Sequence, residues 1–306
     1  MLKKSFIDKI EVIYNGGIIM KLVTYFQEKE LHLGIKLEEG ILPVNEKSDI
    51  DAPITIEELI HQGDLGINHL KKLIEKSTKD DYITEKVNYA PALTQPEKII
   101  CIGLNYKQHA DEVKAEYPEY PILFNKYNNT LSAHQQTITI PETTERLDYE
   151  AELGVIIGKE AHHVNEQEAL DYVFGYCATN DLSARDLQKR TGQWMLGKTS
   201  DGFLPTGPYV VTKDEINNPN DLKIQTRLNE KLVQDSNTSD MIFTVPELIS
   251  YISKYMTLKP GDLIITGTPE GVIIGKPREE REYLTPKDKV TVEIEGLGSL
   301  TTTFKK

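Results

Sequence analysis

Two cysteines, Cys101 and Cys177, are all that the 306 residues contain. They supply neither a disulfide framework nor the four ligands of a zinc site, so both are expected as buried strand thiols in a reducing cytoplasm. Positive charge is also scarce, with 35 Lys and Arg against 48 Asp and Glu and a formal net charge of -13. A chain this acidic does not suit a nucleic-acid partner, whose binding is driven by counterion release onto a basic surface. Long hydrophobic runs are missing. Those present, such as Leu263 to Thr268, fall far short of the roughly 20 apolar residues that cross a bilayer, and no membrane partner is expected. The 39% hydrophobic content still suffices for one substantial core, in one large domain or two.

The opening MLKKSFIDKIEVIYNGGII starts like a signal peptide, but Asp8, Lys9, Glu11 and Asn15 interrupt its apolar residues. Met20 begins a clean strand-like run, and the preceding Gly16-Gly17 reads as a ribosome-binding sequence translated into protein. Residues 1–19 are therefore expected to be a non-native or disordered extension before a true start at Met20. An intact mass that includes them in natively expressed protein would refute this.

From Met20 the pattern is three short strands, Leu22 to Phe26, Leu31 to Ile35 and Gly40 to Val44, then two helices, Ile56 to Gln62 and Ile67 to Ser77. Thr55 with Glu58 reads as a capping box. Two prolines in Tyr89 to Pro96 mark a linker, which predicts a small amino-terminal α/β domain over 20–94 and a catalytic domain over 95–306. The second unit is rich in short β-branched runs, including Lys98 to Ile102, Glu152 to Ile157, Lys223 to Leu228 and Val290 to Ile294. Glu166 to Ala178 and Val245 to Tyr255 are its predicted helices. The mixture predicts an α+β fold, not a doubly wound one. The charged stretch Lys276 to Glu282 reads as a solvated loop.

The chemistry begins at Asp148-Tyr149-Glu150-Ala151-Glu152. Residues two apart share a face of a strand, so Asp148, Glu150 and Glu152 project together and repel unless a cation lies between them. Asp181, where the strand-like Gly175 to Thr179 ends, either caps a helical turn, as Ser183 also can, or adds a further carboxylate. An all-oxygen set of two glutamates and one aspartate suits a hard octahedral ion such as Mg²⁺ or Mn²⁺. His109 and Glu112, three apart on a helical turn, can form a base whose carboxylate orients the imidazole. The remaining polar candidates are Lys126, Lys198 and Thr268. Lys198, among Trp194, Met195, Leu196 and Phe203, reads as a desolvated, substrate-facing amine. Thr268 lies in a glycine-rich turn whose N–H groups can hold anionic oxygens.

Six segments in order, GLNYKQHADE, LDYEAELGVIIGK, NDLSARDLQ, WMLGKTSDGFLPTGP, SDMIF and PGDLIITGTPEGV, closely resemble the motifs of the fumarylacetoacetate hydrolase family. The resemblance runs from Lys98 to Phe304; the insertion-like stretch from Ile274 to Leu284 departs from it. It implies a mixed β-roll or barrel with flanking helices, assembled as a homodimer, with metal held by Glu150, Glu152 and Asp181. It further implies contacts from Arg185, Gln188, Lys198 and Thr268 to the substrate carboxylate or developing oxyanion, and a pair, His109 and Glu112, on a lid; with Lys126 read as a further substrate contact, the expected catalytic residues are His109, Glu112 and Lys198. The activity implied is metal-assisted enolate chemistry on a small 2-oxo or 1,3-dicarbonyl carboxylate. C–C hydrolysis of an acylpyruvate is expected first, tautomerisation, isomerisation or decarboxylation next. A catalytically idle metabolite-binding protein is the alternative from another class.

Overall fold

The computed structural model describes residues 20–44 and 52–306, so the extension expected over 1–19 lies outside the described residues. Strands β1 (Lys21–Gln27), β2 (Glu30–Lys36) and β3 (Ile41–Val44) form an antiparallel meander. Helices α1 (Ile56–Gln62) and α2 (Asp64–Lys76) follow, and bury Leu59, Leu70 and Ile74. Thr55 Oγ1 accepts the Glu58 N–H at 3.1 Å, while the Glu58 carboxylate reaches one residue further back than a capping box requires, to Ile54 N. Next come β4 (Ile99–Gly103), α3 (Lys107–Glu112), β5 (Ile122–Lys126), β6 (Ala151–Ile157) and β7 (Val173–Asn180). Two single turns, α4 (Arg185–Gln188) and α5 (Met195–Lys198), lead to β8 (Leu204–Thr212), β9 (Lys223–Leu228) and β10 (Lys231–Asn237). Helix α6 (Val245–Ser253) and strands β11 (Leu263–Ile265), β12 (Lys289–Ile294) and β13 (Gly298–Lys305) complete the set that positions the site.

One large mixed sheet runs β3-β2-β1-β8-β7-β6-β11-β4-β5; its only parallel pair along this path, among the described residues, is β11 with β4. A smaller sheet runs β10-β9-β12-β13 and ends on Thr137–Thr139. The fold is α+β, as the strand-rich pattern predicts. Alternate residues of β6 enter different cores: Leu153, Val155 and Ile157 pack with the smaller sheet and α6, while Ile156 packs with α1, α2 and the meander. Burial on both faces explains why this strand reads as an unbroken apolar run. It also joins the amino-terminal segment to the rest, because Leu22, Leu33 and Leu59 share one cluster with Cys101, Cys177 and Leu263.

The helix expected over Glu166 to Ala178 is a correction. Only Glu166–Tyr172 is helical, as a 3₁₀ segment, and the chain from Val173 is the central strand β7. Its place between β6 and β8 overrides local propensity. A Cβ on Gly175 would stand 2.4 Å from the Val211 carbonyl oxygen, so only glycine lets β7 approach β8 there. Cys101 and Cys177 are free and buried in β4 and β7, and burial pushes the Cys177 thiol up to about 12. Among the described residues, no helix is long and apolar enough to cross a membrane.

Candidate active site

Strands β6 and β7 pair antiparallel with Ala151 opposite Asn180, so the start of one meets the end of the other. Two hydrogen bonds lock this corner: Glu150 N donates to Asn180 Oδ1 at 3.0 Å and Asp181 N donates to the Glu150 carbonyl at 2.9 Å. Glu150 and Glu152 leave one face at that end and Asp181 joins them. One oxygen from each lies within 4.8 Å of the others, and all three residues are buried.

Asp148 does not share this face, because the strand breaks at Tyr149 and Glu150. Its carboxylate accepts instead from Arg185 Nε and from the backbone N–H groups of Tyr149, Ile273 and Ile274, at 2.9 to 3.0 Å. Asp181 caps no helix either. Its two oxygens accept from Lys126 and Lys198, each at 2.6 Å, and Ser183 Oγ donates to its carbonyl.

Three buried cations thus stand among four buried carboxylates. Lys126 pairs with Asp181, Lys198 with Glu150 and Asp181, and Arg185 with Asp148 and Glu150. Glu152 is the carboxylate left over; it accepts from the Gly267 N–H at 2.8 Å, and no ion pair reaches it among the described residues. Burial, then Asp181 and Glu150, raise the Glu152 carboxyl well above the carboxylate range. Burial would raise Glu150 too, but Arg185 and Lys198 more than offset it and hold it below that range. A buried all-oxygen set with one uncompensated charge fits a hard divalent cation.

The site opens into a cavity of about 630 Å³, lined by His109, Glu112, Glu150, Glu152, Arg185, Gln188, Lys198 and Thr268. That volume suits a small metabolite. Asp181 and Lys126 are not in its wall: both are fully buried behind it, where Lys126 donates to Asp181 and to the Leu182 carbonyl. Lys198 is buried, although Met195 and Leu196 beside it are both 46% exposed. The Phe124 ring covers its ammonium at 5.0 Å. Burial would lower it, but Asp181 and Glu150 hold it above the ordinary lysine range, so Lys198 is an ammonium and not a neutral amine. Gly197 brings it there: a Cβ on Gly197 would stand 2.5 Å from Gln188 N, so only glycine allows α5 to pack on α4.

His109 is buried and its Nδ1 lies 3.3 Å from Glu112 Oε2. An acceptor at Nδ1 fixes the proton there and leaves Nε2 a lone pair, the arrangement of a base. The turn after β11 uses its N–H groups internally: Gly267 serves Glu152, Gly271 serves Glu112, and Ile273 and Ile274 serve Asp148. Its expected role as an anion cradle is thus filled by the protein's own carboxylates.

Sequence reasoning missed Gln234. Its fully buried amide accepts from Thr226 Oγ1 at 2.6 Å and Ala151 N at 3.2 Å, and donates to Thr268 Oγ1 at 3.0 Å and the Pro269 carbonyl at 2.9 Å. It ties the strand of Glu150 and Glu152 to the turn of Thr268. Because the Thr268 oxygen accepts from Gln234, its own proton is free to donate into the cavity. No motif marks Gln234; only the β10 pairing reveals it. Replacing it with Met, of similar volume, is expected to cost about 1–3 kcal/mol through unsatisfied partners and to raise KM. Urea unfolding and steady-state kinetics check this; a Gln234→Met protein with unchanged unfolding and KM would refute the role.

Comparisons with known proteins agree with this geometry. A profile of the fumarylacetoacetate (FAA) hydrolase C-terminal domain matches residues 98–305. The chain is 38% identical over 301 residues to the mitochondrial oxaloacetate tautomerase fahd2 of Xenopus laevis, covering 96% of this chain and 93% of that one. It is 41% identical over 259 residues to oxaloacetate tautomerase YisK of Bacillus subtilis, covering 81% and 85%. The solved fumarylacetoacetate hydrolase of Exiguobacterium antarcticum superposes with a TM-score of 0.79 at 32% identity, covering 94% and 99%.

Proposed function

This chain belongs to the fumarylacetoacetate hydrolase family, and on that premise we propose that it is a keto–enol tautomerase of a small 2-oxo acid of the oxaloacetate type. Glu150, Glu152 and Asp181 would hold Mg²⁺ or Mn²⁺. The observation that carries the reading is that a built base, His109 with Glu112, opens into the same cavity as a buried carboxylate, Glu152, lacking a cation. The names of the related tautomerases support it over hydrolysis, which the sequence put first.

Held by Glu150, Glu152 and Asp181, a divalent cation would supply positive charge that stabilises the negative charge developing on enolisation. Arg185, Gln188 and Lys198 line the cavity and would orient the substrate's head. His109 Nε2 takes a proton from C3 and returns it in the reverse direction, while Glu112 stabilises the imidazolium. Thr268 donates to the enolate oxygen, which takes a proton from water to give the enol while the imidazolium returns its proton to water; the reverse sequence leads from enol to ketone. General base catalysis of this kind contributes about 10²–10⁴-fold.

Hydrolysis of an acylpyruvate is the second reading, favoured by the same His109–Glu112 pair, which can equally activate water. Both are tested by adding purified protein, with Mg²⁺ and with EDTA, to oxaloacetate and to acetylpyruvate, following the enol absorbance and identifying products by NMR. Metal-dependent equilibration of oxaloacetate without cleavage of acetylpyruvate is expected. Cleavage of acetylpyruvate with no acceleration of the keto–enol equilibration of oxaloacetate would overturn tautomerisation in favour of hydrolysis.

A further inference from the structure

The stretch from Lys276 to Glu282, read from sequence as a solvated loop, contributes to the wall of the cavity. Ile274, Gly275, Lys276, Pro277 and Arg281 line it. Carboxylates of the site fasten the preceding turn: Asp148 takes the N–H groups of Ile273 and Ile274, and Glu112 takes that of Gly271. Gly275 lies so close that an added Cβ would stand 2.1 Å from Glu112 Cδ, so the turn is clamped against the base and a side chain there would dislodge one or the other. Beyond the clamp, Arg281 Nε donates to the Lys276 carbonyl at 2.8 Å. This anchors the guanidinium and leaves its two Nη groups without a partner among the described residues.

Lys276 and Arg281 form no ion pair with a described residue, in contrast to Lys126, Arg185 and Lys198 deeper in the site. Both are half-buried. The substrate's first carboxylate and 2-oxo group are accounted for at the buried end, by Arg185, Gln188, Lys198 and the acidic triad. Of the cavity's cations without an ion pair among the described residues, Lys114 and Lys189 are exposed, whereas the half-buried Lys276 and Arg281 have no work on a 2-oxo monocarboxylate. They fit a second anionic group, and a guanidinium held at Nε presents the remaining N–H fork to a carboxylate.

We propose that Lys276 and Arg281 bind the distal carboxylate of the substrate, so that the preferred substrates are 2-oxo dicarboxylates. The proposal rests on the 2-oxo acid reading of the site and adds the residues that select among such acids. Asp148, whose carboxylate holds both Arg185 and the turn that leads to Lys276, is the positioning residue that connects the two ends.

Two stable anions with the same 2-oxo head test it: oxamate, which ends there, and N-oxalylglycine, which carries a second carboxylate. Calorimetric titration of the Mn²⁺-loaded full-length protein is expected to show oxalylglycine binding at least about tenfold more tightly than oxamate, as a charge-assisted pair in a partly closed cavity warrants. In Lys276→Ala/Arg281→Ala the preference should fall to within about twofold, and Arg281→Lys should retain part of it. Equal binding of the two anions by the wild type, or an undiminished preference in the double variant, overturns the rim assignment alone. Failure of both anions to bind the metal-loaded protein overturns the 2-oxo acid reading and the rim with it.

Discussion

Replacing Glu152 with Gln is expected to make the metal-free protein more stable while removing its metal affinity and its activity. Glu152 is buried and has a backbone N–H but no ion pair, beside two other carboxylates. A neutral amide of the same shape accepts the same Gly267 N–H and removes the cost of keeping a raised carboxyl protonated on folding at neutral pH. The expected gain is about 1–2 kcal/mol, the scale on which strained functional sites trade stability for activity. Loss of a charged ligand should weaken Mg²⁺ or Mn²⁺ by about 10²-fold or more, taking outer-shell losses of 10–100-fold as a lower bound. Glu150→Gln should do the opposite to stability, because it strips a partner from Arg185 and Lys198, and breaking a buried pair costs about 3–5 kcal/mol. Urea unfolding of both variants in EDTA separates the two cases. A Glu152→Gln protein that is less stable without metal and still binds Mn²⁺ normally would remove Glu152 from the metal site.

The second large effect is expected from His109→Ala, which should lower kcat by about 10²–10⁴-fold and leave metal affinity within a few-fold of wild type. His109 reaches the cavity but is not among the three carboxylates. Glu112→Gln should fall between the two, because the amide still accepts from Gly271 N–H yet no longer stabilises an imidazolium. Its KM should change little, since the loss appears only as charge develops on the ring. Undiminished turnover in His109→Ala would place the base elsewhere; parallel loss of metal would make the histidine structural.

Much of the site is legible in the sequence where its geometry is local. Glu150 and Glu152 meet because a strand repeats every two residues, and His109 meets Glu112 because a helical turn brings residues three apart together. What escapes is set by partners distant in the chain. Asp148 follows the alternation of the two glutamates but is turned away by Arg185 and by the turn at Ile273, more than 120 positions further on. Lys126 has the right charge for a substrate contact, but its pairing with Asp181 is set by the fold. Gln234 is an ordinary glutamine until β10 pairs with β9 and carries it under Thr268. Val173 to Asn180 reads two ways, as the end of a helix from Glu166 and as a strand over Gly175 to Thr179, and its place between β6 and β8 decides for the strand. The charged run after Pro269 offers no motif at all. Its meaning depends on the turn that Asp148 and Glu112 clamp, which no local pattern encodes.

Proton exchange at C3 of oxaloacetate in D₂O, followed by ¹H NMR, tests the central claim most directly, since any enolising route must break that C–H bond. With Mg²⁺ present, the wild-type protein should incorporate deuterium at C3 well above the spontaneous rate, and EDTA or His109→Ala should return it to that rate. Exchange at the spontaneous rate by protein that holds stoichiometric Mg²⁺ would contradict the account.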